Sequence, residues 1–581
     1  MLSGAFIATD TSSGVSSKFF FSHRNFEASF LEVGTEGLPK SHLSLGASMA
    51  DWHNKTADLT QSIYLNLIED SREVFSAGTT NLTSYRTVEL LVGNLALLIS
   101  RRLARSTEQI GILENGYHLD ASTRGGIEVM NLEPPWSTED SYKLLNSKKI
   151  SDLIDDLSVC RHFGLSNQTL VRTRFADSFL GLRRIQKSNS WLNGSYLKTQ
   201  KLFARGSSKN SVFISASYLG RFKEVLLSAL LKQTPSLLEI RPPTKLGSHF
   251  SARQTLLLKA DSTKAIAFFL MKVLAPWSLR EGYGSTLERA YSLGFPKNPA
   301  VIFTSNSFDT DDEFKVHLAK ALPSASYVVG QHGNNYGISK TTEICPELNA
   351  SDIFLSWGWV GDEQRIYPFG QIKPALRVRR PNKMRGVTLF LRDELDFFFS
   401  ADMHELNKRY FRNIEDLCAS LNDLQVTTHL RLHTSTSSST KNFLEKAVEK
   451  MPFVAISGDR PSMRKLLTSG MGIVFGYDST GMLEMGTAGI PFFLFAPDGL
   501  GLVRQEYRAN YDSLRSAGLL SEDPAQAAQL ISEWITAPKK TRSMHAESLR
   551  LFTEGIAHYP KNKIWKLRRI LKGFEILRGK K

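Results

Sequence analysis

Cysteine is scarce. Cys160, Cys345 and Cys418 lie far apart and form no CxxC pair. That argues against a disulfide framework and against a zinc site, and it suits a reducing cytosol. Long apolar runs are missing too. The longest, Leu90 to Ile99, closes on Arg101-Arg102, and residues 265–277 are interrupted by Lys272. Neither approaches the roughly 20 residues that a membrane-spanning helix needs. The opening MLSGAFIATDTSSG has no basic start and no apolar core, so it does not read as a secretory signal. No internal repeat or low-complexity tract is evident. The expectation is a protein that is soluble or peripheral to a membrane.

What is present is ordinary globular composition: 41% hydrophobic and 22% charged residues. The length allows about three to four units of roughly 150 residues. The net charge is +15, but residues 561–581 alone carry nine Lys/Arg against Glu575. The body is therefore only mildly basic. There is no helix-turn-helix signal, so nucleic-acid binding is a weak alternative. The same tail sets Ile564, Trp565, Leu567, Ile570, Leu571, Phe574 and Leu577 among its basic residues. That pattern fits an interfacial helix on an anionic membrane or a helix packed on a partner domain.

Along the chain, residues 51–112 read as helical, with Val88, Leu91, Leu95, Leu98 and Ile99 at helical spacing. Three short apolar strands follow later: Val301–Phe303, Tyr327–Val329 and Ile353–Leu355. After a basic, polar hinge near 375–386, strands and helices alternate again. A strand at 386–391 and a helix over 401–422 lead to a strand ending at Arg431-Leu432-His433. Further alternation carries the chain to a strand at 471–475. Alternation of this length predicts parallel, doubly wound sheets.

Two motifs carry the chemistry. The second N-terminal strand runs into Gly330-Gln331-His332-Gly333-Asn334-Asn335-Tyr336-Gly337. Ligands bind at the carboxyl ends of strands in open sheets, and glycines allow close backbone approach. His332 is therefore the candidate general base, with Gly330, Gly333 and Asn334 as binding residues. Asp309-Thr310-Asp311-Asp312 contains a DxD, which fits a Mg²⁺-nucleotide site or an acidic helix start. The helix start is preferred, and Asp309 and Asp311 are the alternative bases. Trp357 and Trp359 fit sugar stacking or core packing equally.

The second motif is FGYDSTGMLEMGTAGIP, residues 475–491. Its strand ends at Asp478-Ser479-Thr480, which cap a helix, and Gly489 and Pro491 end it. A helix start favours phosphate, so Ser479 and Thr480 are donor candidates, with Glu484 placed to accept from ribose hydroxyls. A capped core helix is the plainer alternative. Arg431 and His433, at the neighbouring strand end, could neutralise a diphosphate or could be surface charge. Arg504, Tyr507 and Arg508 follow a glycine-rich loop and are weaker candidates.

The string NPAVIFTSNSFDTDDEFK…VVGQHGNNYGISK…SDIFLSWGW resembles a family of transferases found with bacterial surface-polysaccharide and lipopolysaccharide gene clusters. Asp51-Trp52-His53-Asn54, Thr83-Ser84-Tyr85-Arg86 and Leu91-Val92-Gly93-Asn94 resemble it as well. The C-terminal half is similar to the nucleotide domain of GT-B glycosyltransferases and of CDP-glycerol-type glycerophosphotransferases. The likeness covers most of residues 50–535. The family usually has aromatics where Arg86 and Leu95 stand, and an acid-x-His pattern near Glu347, where this chain has Leu348-Asn349.

The resemblance implies an α/β protein of two Rossmann-like doubly wound domains facing a cleft, the GT-B fold, with an N-terminal helical elaboration. The boundaries expected are 1–375 for the acceptor side, with the helical insertion at about 51–112, and 386–537 for the donor side. A basic tail fills 538–581. The expected activity is transfer of a sugar or polyol phosphate from a nucleotide-activated donor to a cell-envelope glycan or lipid-linked acceptor. No metal and no cofactor are implied beyond the donor. The expected place is the cytoplasm, with the tail peripheral on the inner face of the cytoplasmic membrane. A sugar-nucleotide epimerase of the same architecture is the main alternative.

Overall fold

A computed structural model gives the three-dimensional structure. It describes residues 5–9, 18–22, 49–76, 84–116, 118–122, 127–132, 135–147, 150, 153–154, 157, 168–173, 203–236, 254–259, 262–361, 363–378, 384–392, 401–433, 436, 438–458, 461–536 and 539–579. Two long helices, α1 (Met49–Ser76) and α2 (Tyr85–Gly116), pack on each other as the helical elaboration.

The N-terminal sheet has five parallel strands: β1 (Val212–Ser215), β2 (Val301–Thr304), β3 (Ser326–Gly330), β4 (Ile353–Ser356) and β5 (Ile366–Pro368). They neighbour one another in sequence order. Between or beside them run α3 (Arg221–Leu230), α4 (Thr263–Leu274) and α5 (Asp312–Ala321). Strand side chains alternate between two cores, as the two-residue period requires. Phe213, Ile302, Tyr327, Val329 and Phe354 join α1, α2, α4 and α5. Val212, Ile214, Val301, Phe303, Val328 and Leu355 join α3 on the other face. Covered on both faces, these strands are near-continuously apolar.

The C-terminal sheet has six parallel strands: β6 (Gly386–Phe390), β7 (Thr428–Arg431), β8 (Val454–Ile456), β9 (Met471–Phe475), β10 (Phe493–Phe495) and β11 (Leu520–Ser521). Their order is β8-β7-β6-β9-β10-β11, all parallel. Strand order therefore reverses between β6 and β9, and such a switch point opens a crevice at the carboxyl strand ends. α6 (Ala401–Asp423) packs Tyr410, Ile414 and Leu417 into this domain's core, and α7 (Thr480–Thr487) follows β9. The fold is the two-domain α/β architecture with an N-terminal helical region. Two three-stranded sheets, from 5–9, 18–22 and 118–122 and from 127–132, 168–173 and 254–259, complete the described strands.

The tail packs on both domains. After α8 (Arg508–Ser516), helix α9 (Lys539–Thr553) packs Leu549 and Phe552 into the C-terminal core. Then α10 (Lys563–Gly579) crosses back to the N-terminal domain. Its Leu567 and Leu571 are fully buried against Val301, Phe303 and Val328. Of the tail's apolar residues, Leu567 and Leu571 are spent on the N-terminal domain, with Ile564, Ile570 and Phe574 packed beside them, whereas Trp565 and Leu577 stay exposed. Among the described residues no helix is long and apolar enough to cross a membrane.

Candidate active site

β3 ends at Gly330, and the loop after it is fastened from below. The Gln331 side chain donates to Gly333 O and accepts from the Trp357 backbone N–H and from Trp359 Nε1. Trp357 Nε1 donates to Gln331 O at 2.8 Å. Trp357 and Trp359 are therefore buried anchors of the loop, not sugar platforms. The glycines also do something other than expected. A Cβ on Gly330 would collide with Ile372 and Ser305, and one on Gly337 with Trp359. Gly330 serves close packing beneath the loop rather than approach to a ligand.

His332 stands above this base, with Phe308 and Tyr218 rings at 5.6 and 6.3 Å. Its Nδ1 lies 3.2 Å from the Tyr336 hydroxyl, which donates to the buried Glu347 carboxylate. Tyr336 has one proton and gives it to Glu347, so it accepts from His332 Nδ1–H. That assignment leaves the Nε2 lone pair free. Burial pushes the imidazole down to about 4; Asp309 opposes this and Lys373 adds to it. The sequence alone suggested titration near neutrality, and burial is the reason for the difference.

The carboxylates of 309–312 separate. Asp309 Oδ1 takes bonds from Asn94 and Tyr142, both at 3.3 Å, and is the one that borders His332. Asp311 is the N-cap of α5 and accepts from Phe314 N at 2.9 Å, which removes it as a candidate base. Asp312 is buried, accepting from Thr138 and Ser278. Among the described residues no group of three or more His, Cys, Asp or Glu side chains could hold a metal ion. Where an acid-x-His pattern was expected, Asn349 donates to Glu89 of α2 at 2.6 Å, and Tyr64 of α1 donates to the same oxygen. Arg86 pairs with Asp352 at 2.9 Å. These bonds clamp the helical pair onto the N-terminal domain.

The two motifs meet. The Asn334 backbone N–H donates to Thr480 Oγ1 at 3.0 Å, and its side-chain amide donates to Asp478 Oδ1 at 2.6 Å. A Cβ on Gly333 would sit 3.3 Å from Thr480 Oγ1, so glycine permits this approach. Tyr511 of α8 donates to the other Asp478 oxygen at 2.7 Å. Burial pushes Asp478 up to about 6, and its two bonds hold it below where burial alone would put it. Ser479 caps α7 and accepts from Gly481 N. The Asn334 Oδ1 atom is buried without a hydrogen-bond partner.

Glu484, one turn into α7, pairs with Lys373 at 2.8 Å. Lys373 also lies over the Tyr218 ring at 5.2 Å. Arg431 is in register with Phe390, and Phe390 with Phe475, so it reaches the carboxyl edge two strands from the α7 motif. There its guanidinium stacks on Phe390 at 4.6 Å and donates to Pro461 O at 2.6 Å. His433 lies two residues beyond that strand end. Arg504 meets the N-terminal domain through its backbone, which donates to Ile338 O. Sequence reasoning overlooked Tyr218, Lys373 and the roles of Tyr336 and Asp478. Tyr336 and Asp478 stood inside motifs already marked, whereas Lys373 and Tyr218 carried no local signal.

Fold and site define a two-domain α/β protein whose two motifs meet through Asn334, Asp478 and Thr480. Residues 143–540 match a family described as LIC12162 family transferase. The chain belongs to that family and is a transferase. No curated protein matches it. Among solved structures it is similar to Os79 from O. sativa in complex with UDP and deoxynivalenol-3-glucoside, at 12% identity over 54% of this chain and 87% of that one, TM-score 0.34. It is similar to S. aureus MnaA with UDP at 9% identity, 51% and 82% coverage, TM-score 0.34. For CalG4, the calicheamicin glycosyltransferase, the values are 11%, 51%, 78% and 0.30. Likeness this remote assigns no substrate.

Proposed function

We propose that the chain transfers a sugar or a polyol phosphate from a nucleotide-activated donor to a hydroxyl of a cell-envelope glycan or lipid-linked acceptor. The observation that supports this most is the pair of bonds from Asn334 to Asp478 and Thr480. They bring the loop that carries His332 to the switch point of the C-terminal sheet. In this reading the nucleotide lies at the carboxyl ends of β6 and β9. Arg431, His433, Ser479, Thr480 and Glu484 face it there, and Lys373 supplies a further cation at the cleft rim.

The acceptor O–H gives its proton to His332 Nε2. Its oxygen bonds the donor's anomeric carbon or phosphorus as the bond to the nucleotide breaks, and the nucleotide leaves with that electron pair. Tyr336 and Glu347 hold the imidazole in the tautomer that can accept. The separated partners of Asp309, Asp311 and Asp312 favour a reaction without a metal held there. Cysteine usage favours the cytoplasm as the place of reaction.

The test is a thermal-shift panel of nucleotide sugars and CDP-polyols. A true donor at 100 times its Kd raises stability by about 2.7 kcal/mol. If no nucleotide-activated compound shifts the transition, the donor reading fails. An epimer released with no acceptor present would replace transfer by epimerisation.

A further inference from the structure

Helices α3 and α10 lie side by side on one face of the N-terminal sheet. Leu227 and Leu231, at the end of α3 and just past it, share a core with Leu567 and Leu571 of α10. Arg568 Nε donates to Leu230 O at 2.9 Å and ties the two together. Both inner stripes face the same sheet, so both outer stripes face the same way. The outer stripe of α3 carries Phe222, Val225 and Leu226 at helical spacing, with Phe222 81% exposed. That of α10 carries Trp565, Ile576 and Leu577, each more than half exposed. Exposed large apolar residues gathered on one face mark an interaction surface.

Its charge says what covers it. Arg221, Lys561 and Arg569 are exposed around the apolar residues, and Lys223, Lys566, Arg568 and Lys572 are half-buried. The two acids on these helices are occupied internally: Glu224 accepts from Ser217 and Glu575 pairs with Lys572. With Lys572 set against Glu575, the six other basic residues outnumber Glu224, and the face is apolar and net positive.

We infer that the α3–α10 face docks on an anionic membrane surface. The tryptophan and phenylalanine enter the interfacial layer, and the basic residues meet the lipid phosphates. Both helices start at the cleft. Tyr218, just before α3, packs beside His332, and Lys563 of α10 donates to the carbonyls of Ile372 and Lys373. Docking therefore brings the acceptor side of the cleft to the membrane, which suits a lipid-borne acceptor hydroxyl. That last step rests on the transfer reading above; the docking does not.

The experiment is flotation of the full chain with vesicles of phosphatidylcholine alone and of phosphatidylcholine mixed with phosphatidylglycerol. Binding is expected to the mixed vesicles only, weakening with added salt. The double variant Phe222→Ser, Trp565→Ser is expected to bind about ten-fold more weakly or worse, with Tm and nucleotide affinity unchanged. Should that pair lower Tm, Lys561→Glu with Arg569→Glu makes the same test through exposed charges. Absence of wild-type binding to mixed vesicles overturns the inference, as does equal binding by a folded variant. A concentration-dependent dimer abolished by the same substitutions overturns it too, assigning the face to a second copy. Loss of nucleotide binding with vesicle binding intact counts against the donor reading alone.

Discussion

The side-chain amide of Asn334 donates to the carboxylate of Asp478 at 2.6 Å, joining the loop after β3 to the residue that precedes the cap of α7. Asp478 also holds Tyr511, so one half-buried carboxylate fixes the relation of the two motifs. Its folded pKa is raised, to about 6, so the folded state holds the proton more tightly than the unfolded one. The contribution is then fully present below the unfolded value and is lost as pH rises through about 6. Relative to Asp478→Asn, the wild type is expected to gain roughly 2 kcal/mol between pH 7 and pH 4, allowing for partial exposure. Urea unfolding of both proteins across that range measures it. A constant gap would mean that Asp478 is ionised throughout.

His332→Ala is expected to lower turnover by about 10²–10⁴-fold with donor affinity nearly unchanged. Because burial pushes His332 down to about 4, the neutral, accepting form persists well below neutrality. Wild-type turnover should therefore fall only as pH drops through about 4, and the mutant should lack that limb. Tyr336→Phe removes the acceptor for Nδ1–H and should cost about ten-fold in kcat, on the scale of one hydrogen bond. If His332→Ala loses only a few-fold, Asp309 becomes the better base.

Glu484→Ala and Arg431→Ala are expected to weaken nucleotide binding by about 1.5–3 kcal/mol each. For Glu484 the loss includes the release of Lys373, its partner at 2.8 Å. For Arg431 it includes the stack on Phe390 and the bond to Pro461, so a modest drop in Tm accompanies it. Unchanged affinity by calorimetry in both variants would take these residues out of the donor site.

Leu567→Ala is expected to destabilise the protein by about 2–5 kcal/mol, because a fully buried leucine leaves a cavity against the N-terminal sheet. Chemical denaturation reads it directly. A cost below about 1 kcal/mol would mean that the site collapses freely and that α10 is not part of the core.

Much of the fold was legible in the chain itself. The helix over 401–422, the strand running to Arg431-Leu432-His433, the capping residues before the helix at 480 and the acidic helix start at 309–312 are written in short-range patterns. Apolar spacing and capping chemistry act within a turn or a strand, so a few residues suffice to show them. The candidate chemistry was legible for the same reason: a histidine among glycines at a strand tip, and hydroxyls at a helix start.

The tertiary structure alone decided which of these segments meet. Asn334 and Asp478 are 144 residues apart, and Lys373 and Glu484 are 111 apart. Neither pair leaves a local mark, because such contacts follow from how two sheets and their helices pack. The same holds for the glycines, whose missing Cβ atoms make room for Ile372, Trp359 and Thr480. It holds for the tail, where the amphipathic pattern showed that one face must be covered. A helix buries its apolar stripe against whatever surface the fold presents, and here that surface is the N-terminal sheet.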